Sequence, residues 1–278
     1  MTGTYEDPPE YRDGGGGGGM QISLPSVGPV AKKLMWINGG VFLFFLAVER
    51  FAFGQALYGW LALNPESWKS LFPFVPFWQV LTYGFLHSMG DPLHLLYNLL
   101  ATYFFGTMVE QQVGGRRFAV LTLAAIVLGG VVQLLVGLPA ALAPRTVGFS
   151  GAVLSYVVAA AVMRPNARVI FILFPLRLKT LAMIMVGLDL FGLLRGGGNT
   201  AYPVHLVGAL FGYLVVRQGW IWKDPLAEIA TRRAEGQARG AQADEQRLDE
   251  LLDRIHREGI QTLSRSEREF MKRVSSRR

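Results

Sequence analysis

Four polar residues stand inside apolar stretches, where a side chain without a task is costly: His94, Asn98, Ser150 and His205. Ser150 belongs to Gly148-Phe149-Ser150-Gly151, at the head of an apolar run that ends at Met163. The glycines leave no side chain to block the approach of backbone or a reacting group to the hydroxyl. From Ser150 to Met163 a helix covers about 21 Å at ~1.5 Å per residue, less than the ~30 Å hydrocarbon core of a bilayer. With Arg164-Pro165 at one face, Ser150 lies inside the apolar layer. Taken alone, such a serine reads as packing glue, because Gly and Ser line membrane helix contacts routinely. His205 changes the balance. It lies in Val204-His205-Leu206-Val207-Gly208-Ala209-Leu210-Phe211-Gly212, one turn before Gly208, and Gly208 with Gly212 makes a face for close helix contact. If that face packs on Gly151 and its helix, Ser150 and His205 meet at one depth. A hydroxyl beside an imidazole is a nucleophile beside its base.

His94 and Asn98 are four apart in Asp91-Pro92-Leu93-His94-Leu95-Leu96-Tyr97-Asn98 and share one side of a helix. Polar side chains in a membrane point to the bundle interior or to a wet cavity; for Asn98 an interhelical hydrogen bond is the competing reading. His87 precedes the span and reads as interfacial. A metal held by His87, His94 and His205 is disfavoured, since no carboxylate lies at ligand spacing in that half and HExxH is absent. No metal and no other cofactor is expected.

The elements that must position these residues are membrane helices. The chain has 278 residues, 51% of them hydrophobic, which is too apolar for an ordinary soluble domain. Its net charge of +7 does not point to nucleic acid, because basic residues flank the apolar runs or cluster in the tail. With no cysteine, disulfides and thiol chemistry are excluded. Six spans are expected, at about 35–56, 92–112, 117–138, 149–164, 176–194 and 203–218. Basic residues at Lys32/Lys33, Arg116/Arg117, Arg164/Arg168 and Arg217/Lys223 put both termini in the cytoplasm, with Ser150 toward the outer face.

The remaining stretches sort by composition. Residues 1–33 read as a flexible polar and Gly-rich segment without a cleavable signal, and 34–220 as the six-span domain. Residues 221–244 read as a linker, and 245–278 as a short soluble amphipathic helical hairpin with Gly259 as a stop. Ser264 with Glu267, or Ser266 with Glu269, gives the second hairpin helix a capping box. Residues 57–91, rich in Trp, Phe, Tyr and Pro, read as an interfacial loop. Residues 138–147 read as a connection able to re-enter the membrane where protein shields its backbone. The fold class expected is an all-α polytopic membrane bundle.

These residues together resemble the rhomboid family of intramembrane serine proteases. The matching motifs are His94-Leu95-Leu96-Tyr97-Asn98, Gly148-Phe149-Ser150-Gly151, and His205 followed by Gly208 and Gly212. Phe104-Phe105-Gly106 to Glu110, then Gly114 and Arg116-Arg117-Phe118, also match, and the resemblance spans about residues 35 to 218. It implies a dyad with Ser150 as nucleophile and His205 as general base and then acid. It also implies oxyanion stabilisation by His94, Asn98 and the Ser150 backbone N–H beside Gly148, with Gly151, Gly208 and Gly212 packing the helices. The physics agrees, because a helix N-terminus presents unpaired N–H groups to a developing oxyanion. No acid is needed to orient the histidine on this reading. Asp189 is the one acid deep in a span, which argues against an aspartyl intramembrane protease. The implied partners are transmembrane helices of substrates and the lipid bilayer of the cell membrane. A helix-binding protein without catalysis is the alternative, and a transporter is disfavoured because the polar residues crowd at one depth. Three positions depart from the family pattern. Gln79 follows Trp78 where the family commonly carries Arg, Leu154 stands where an aromatic often stacks on the histidine, and His87 to His94 is a longer spacing than usual.

Overall fold

The computed structural model describes residues 26–139, 145–171, 174–196, 200–223 and 225–275. The proposed re-entrant stretch at 140–144 and Asn199 lie outside the described residues. The chain is mostly helical, and a helical run lies at each of the six apolar segments. Of these, Pro29–Val48 and Gly115–Gly137 are each long and apolar enough to cross a membrane.

Helix α1 (Pro29–Val48) starts earlier than expected, within the stretch read as flexible. The reason is a distant cap. Glu110 Oε1 and Oε2 accept from the backbone N–H groups of Val30 and Ala31 at 2.9 and 2.8 Å, supplying acceptors that the first turn of a helix lacks. After a break at Glu49–Phe51 the chain forms α2 (Ala52–Leu61), α3 (Pro65–Ser70) and the single turn α4 (Gln79–Thr82). The aromatic stretch 57–91 is therefore folded, with short helices inside it.

The second apolar segment is α5 (Pro92–Ala101), a π-helical turn at Thr102–Gly106, and α6 (Thr107–Val113). Asp91 Oδ1 accepts from His94 N at 3.2 Å, and Pro92 sits at the first helical position, where its missing N–H costs nothing. Gly114, at φ 84°, turns the chain into α7 (Gly115–Gly137).

Helix α8 (Ser150–Met163) is the axis of the bundle, since every residue from Gly151 to Ala161 is buried. A helix apolar on all sides must be enclosed on all sides. Next comes an antiparallel hairpin, β1 (Arg168–Phe171) with β2 (Phe174–Arg177), which departs from the all-helical expectation. The β-branched pair Val169-Ile170 suits a strand better than a helix. Then follow α9 (Leu178–Arg195) and α10 (Tyr202–Arg217).

The closest packing joins α8 to α10, and glycine permits it. A Cβ on Gly208 would run into the backbone carbonyl of Gly151, and one on Gly212 into that of Ser155. A Cβ on Gly151 would approach Val204 Cγ1 to 2.7 Å.

Beyond the bundle, the stretch read as a linker is helical. Helix α11 runs without interruption over Pro225–Glu258, taking in the first helix of the hairpin. Its partner α12 (Arg265–Ser275) begins at a capping box, where Glu267 N donates to Ser264 Oγ at 3.3 Å and Ser264 N to Glu267 Oε2 at 2.8 Å. Leu251, Leu263 and Phe270 form a small buried cluster between the two helices.

Gly208→Val should destabilise the bundle by about 2 kcal/mol or more, because the contact is with backbone that has no rotamer to yield. Thermal unfolding in detergent followed by circular dichroism should show a lowered midpoint, and an unchanged midpoint would contradict this packing.

Candidate active site

Ser150 is the first residue of α8, so its backbone N–H has no partner within the helix. Gly148, two residues earlier, has φ 130°, a conformation that L side chains rarely adopt. A Cβ there would also come within 2.9 Å of His94 Cε1. The glycine thus allows both the turn into α8 and the close approach of His94. The strand-like backbone before it is tied to the aromatic loop, since Leu63 and Thr146 exchange hydrogen bonds and Gly148 N donates to Tyr83 O at 3.0 Å.

His205 lies in the first turn of α10, and the glycine contacts with α8 bring it level with Ser150. Ser150 Oγ and His205 Nε2 are 2.7 Å apart, and both side chains are partly buried. The other ring nitrogen is also occupied. His205 Nδ1 lies 3.0 Å from Asp189 Oδ1 on α9, an acid that the sequence reading had set aside.

Ser150, His205, His94 and Gly148 all line one cavity of about 850 Å³. Its walls include Leu93 and Tyr97 from α5, Gly192 and Leu193 from α9, and Arg145 and Tyr202. The cavity is large enough for several residues of extended chain and for water.

Asn98 stands elsewhere. It is 4% exposed and does not line the cavity, and its Nδ2 donates to His87 Nε2 at 3.0 Å. His87 is fully buried, and its ring lies edge-on to that of His94 with centroids 5.5 Å apart. Burial, with His94 beside it, holds the His87 ring down to about 4, so it is neutral and its Nε2 can accept. The structure therefore brings Ser150, His205, His94 and Gly148 together, and sets Asn98 one layer behind, as the support of His87.

The aromatic loop is anchored by Gln79 in place of an arginine. Its Oε1 accepts from Asn64 N at 3.1 Å and Trp68 Nε1 at 3.2 Å, and its Nε2 donates to Trp60 O at 3.1 Å. Trp78 Nε1 donates to the same carbonyl at 2.9 Å. The signal missed in the sequence was that a neutral amide, donor and acceptor at once, can bridge backbone and indole where a cation could only donate.

Among the described residues no group of three or more His, Cys, Asp or Glu side chains is placed to hold a metal ion.

Gly148→Ala should abolish covalent labelling of Ser150 by a fluorophosphonate while leaving the helical content unchanged, since the left-handed backbone and the His94 contact are both local. Gln79→Ala should leave two donors, Asn64 N and Trp68 Nε1, without their acceptor and cost about 1–3 kcal/mol. Limited proteolysis should then cut within 57–91 faster than in wild type.

Comparison with known proteins agrees with the residues. The model of the rhomboid domain matches residues 76–220, more than half of the chain, and this span contains His94, Asn98, Ser150 and His205. A family of unknown function (DUF6576) matches residues 241–277, the end of α11 and α12. The presenilin-associated rhomboid-like protein, mitochondrial, of Rattus norvegicus is 26% identical over 143 residues, which is 49% of this chain and 38% of the relative. The match thus spans well under two thirds of that protein. From the family match and from the three motifs on one helical bundle, this chain belongs to the rhomboid family.

Proposed function

We propose that this protein is an intramembrane serine endopeptidase that cuts peptide bonds in or near the transmembrane segments of other proteins. The observation that carries this reading is the 2.7 Å approach of Ser150 Oγ to His205 Nε2 inside a cavity of an apolar bundle. A hydroxyl held at hydrogen-bond distance from an imidazole, with unpaired N–H groups at its own helix terminus, is the arrangement that acyl transfer requires.

Acylation begins when Ser150 Oγ attacks the scissile carbonyl carbon as its proton passes to His205 Nε2. The carbonyl oxygen becomes an oxyanion, met by the Ser150 backbone N–H with His94 at the cavity wall. Gly148 clears the approach, and Asn98 holds the layer behind through His87. Collapse of the oxyanion breaks the C–N bond, and the leaving amine takes the proton back from His205. Water from the cavity then adds to the acyl-serine with its proton going to His205, and release of the acid restores Ser150. The substrate helix must unwind locally, because an intact helix hides its carbonyls in hydrogen bonds.

The bundle in this proposal is a six-span domain over residues 34–220 in the cell membrane, with both termini cytoplasmic and the cavity opening toward the outer face. The side chains that face away from the core support a lipid surround. Trp36, Leu43 and Phe44 on α1, Leu135 and Val136 on α7, and Met183, Leu188 and Leu194 on α9 are all exposed. In water such a surface would drive aggregation.

Purified protein in liposomes with a single-span test substrate should cleave it, and Ser150→Ala and His205→Ala should each lower the rate by at least about 10³-fold. Cleavage that survives Ser150→Ala would defeat the proposal. Wild type that captures the substrate without cutting it would leave the non-catalytic helix-binding reading in its place.

A further inference from the structure

Asp189 Oδ1 lies against the His205 nitrogen that faces away from Ser150. We propose that it is the positioning residue of this site. Its carboxylate fixes the His205 ring with Nδ1–H toward α9 and the Nε2 lone pair toward Ser150. The catalytic consequence rests on the protease reading above; the hold on the ring does not.

The two contacts of His205 use opposite nitrogens, Nδ1 to Asp189 Oδ1 at 3.0 Å and Nε2 to Ser150 Oγ at 2.7 Å. An ionised carboxylate only accepts, so a neutral His205 facing it must carry its proton on Nδ1. Nε2 is then the acceptor, and the Ser150 hydroxyl donates to it. In the other tautomer Nε2 would carry a hydrogen and could not take the serine proton. When that proton does arrive, the imidazolium has a carboxylate on its far side. The charge forms against a fixed counter-ion, and both groups are largely withdrawn from solvent, 18% of the His205 side chain and 15% of that of Asp189 being exposed.

The helix that carries Asp189 gives a second argument. Along α9 the side chains of Leu188, Leu190, Phe191 and Leu194 are exposed and apolar, as suits a lipid-facing helix. A carboxylate among them is costly unless paired. Asp189 and Gly192, three apart, fall on the face that meets α10. A Cβ on Gly192 would collide with the ring of Tyr202, three residues before His205. Two matched contacts one turn apart, Asp189 to His205 and Gly192 to Tyr202, thus set the register of α9 on α10. Asp189 thus gives the His205 ring a second hold beside Ser150.

The test uses the full chain in detergent micelles with ¹⁵N-labelled histidine. The sequence has four histidines, and loss of one set of signals in His205→Ala assigns the ring. The wild-type spectrum at mildly alkaline pH should show His205 as the Nδ1–H tautomer, and an Nε2–H tautomer would overturn the proposal. Asp189→Asn, whose amide can donate to Nδ1, should convert the ring to Nε2–H. It should also lower kcat for a single-span test substrate about 10²- to 10⁴-fold with little change in KM. Asp189→Glu should recover part of that loss, which a purely structural clamp would not do. Should Asp189→Asn fail to fold, the wild-type tautomer and the glutamate variant still decide. Wild type that holds the Nδ1–H tautomer but never cleaves would end the protease reading while bearing out the hold on the ring. Wild type that cleaves, with Asp189→Asn equally active and its tautomer unchanged, would end this inference alone.

Discussion

The backbone contact between α8 and α10 is the constraint on which the site depends. Ser150 and His205 are far apart in sequence and belong to different helices, so a hydrogen bond between them demands that the helix axes approach to near backbone contact. Gly208 against the Gly151 carbonyl and Gly212 against that of Ser155 permit this approach. In a bundle whose outer surface faces lipid, apolar burial gives little preference for one helix partner over another, and close packing must set the geometry. The glycines therefore act as alignment. A methyl group added at Gly208 or Gly212 would meet backbone and force the two helices apart.

Around that axis the other elements each fix one degree of freedom. Glu110 ties the start of α1 to the second helical run, and Gln79 ties the aromatic loop to α2 and α3. The Leu63–Thr146 pairing and the Gly148–Tyr83 hydrogen bond carry that loop onto the residues just before Ser150. The aromatic loop is thus held beside the site by neutral amide and backbone bonds. Such bonds suit an interface where ions would pay a desolvation cost.

Much of this was legible in the sequence, for a physical reason. In an apolar environment each polar side chain is an exception, so Ser150, His94, Asn98 and His205 stood out, and the spacing of Gly208 and Gly212 indicated where helices could touch. Asp189 was equally visible but was weighed against the wrong partner. A second aspartate was sought, whereas its partner is a histidine on the next helix, a pairing set by the register of α9 on α10 that no local pattern encodes. Asn98 was read as facing the reacting atoms, but two residues that share a helix face can sit at different depths, and His87 claims it. The linker between bundle and hairpin was inferred from the change to charged composition after Trp222. The Ala, Glu, Arg and Gln of that stretch are good helix formers and carry α11 through.

The proposed activity requires Ser150 to be a nucleophile activated by His205. The direct measurement is to treat the purified protein with a fluorophosphonate and map the adduct by mass spectrometry, with His205→Ala as the control. A single phosphonyl group on Ser150, absent from the control, is the result expected. No adduct, or one equally abundant when His205 is gone, would contradict the central claim.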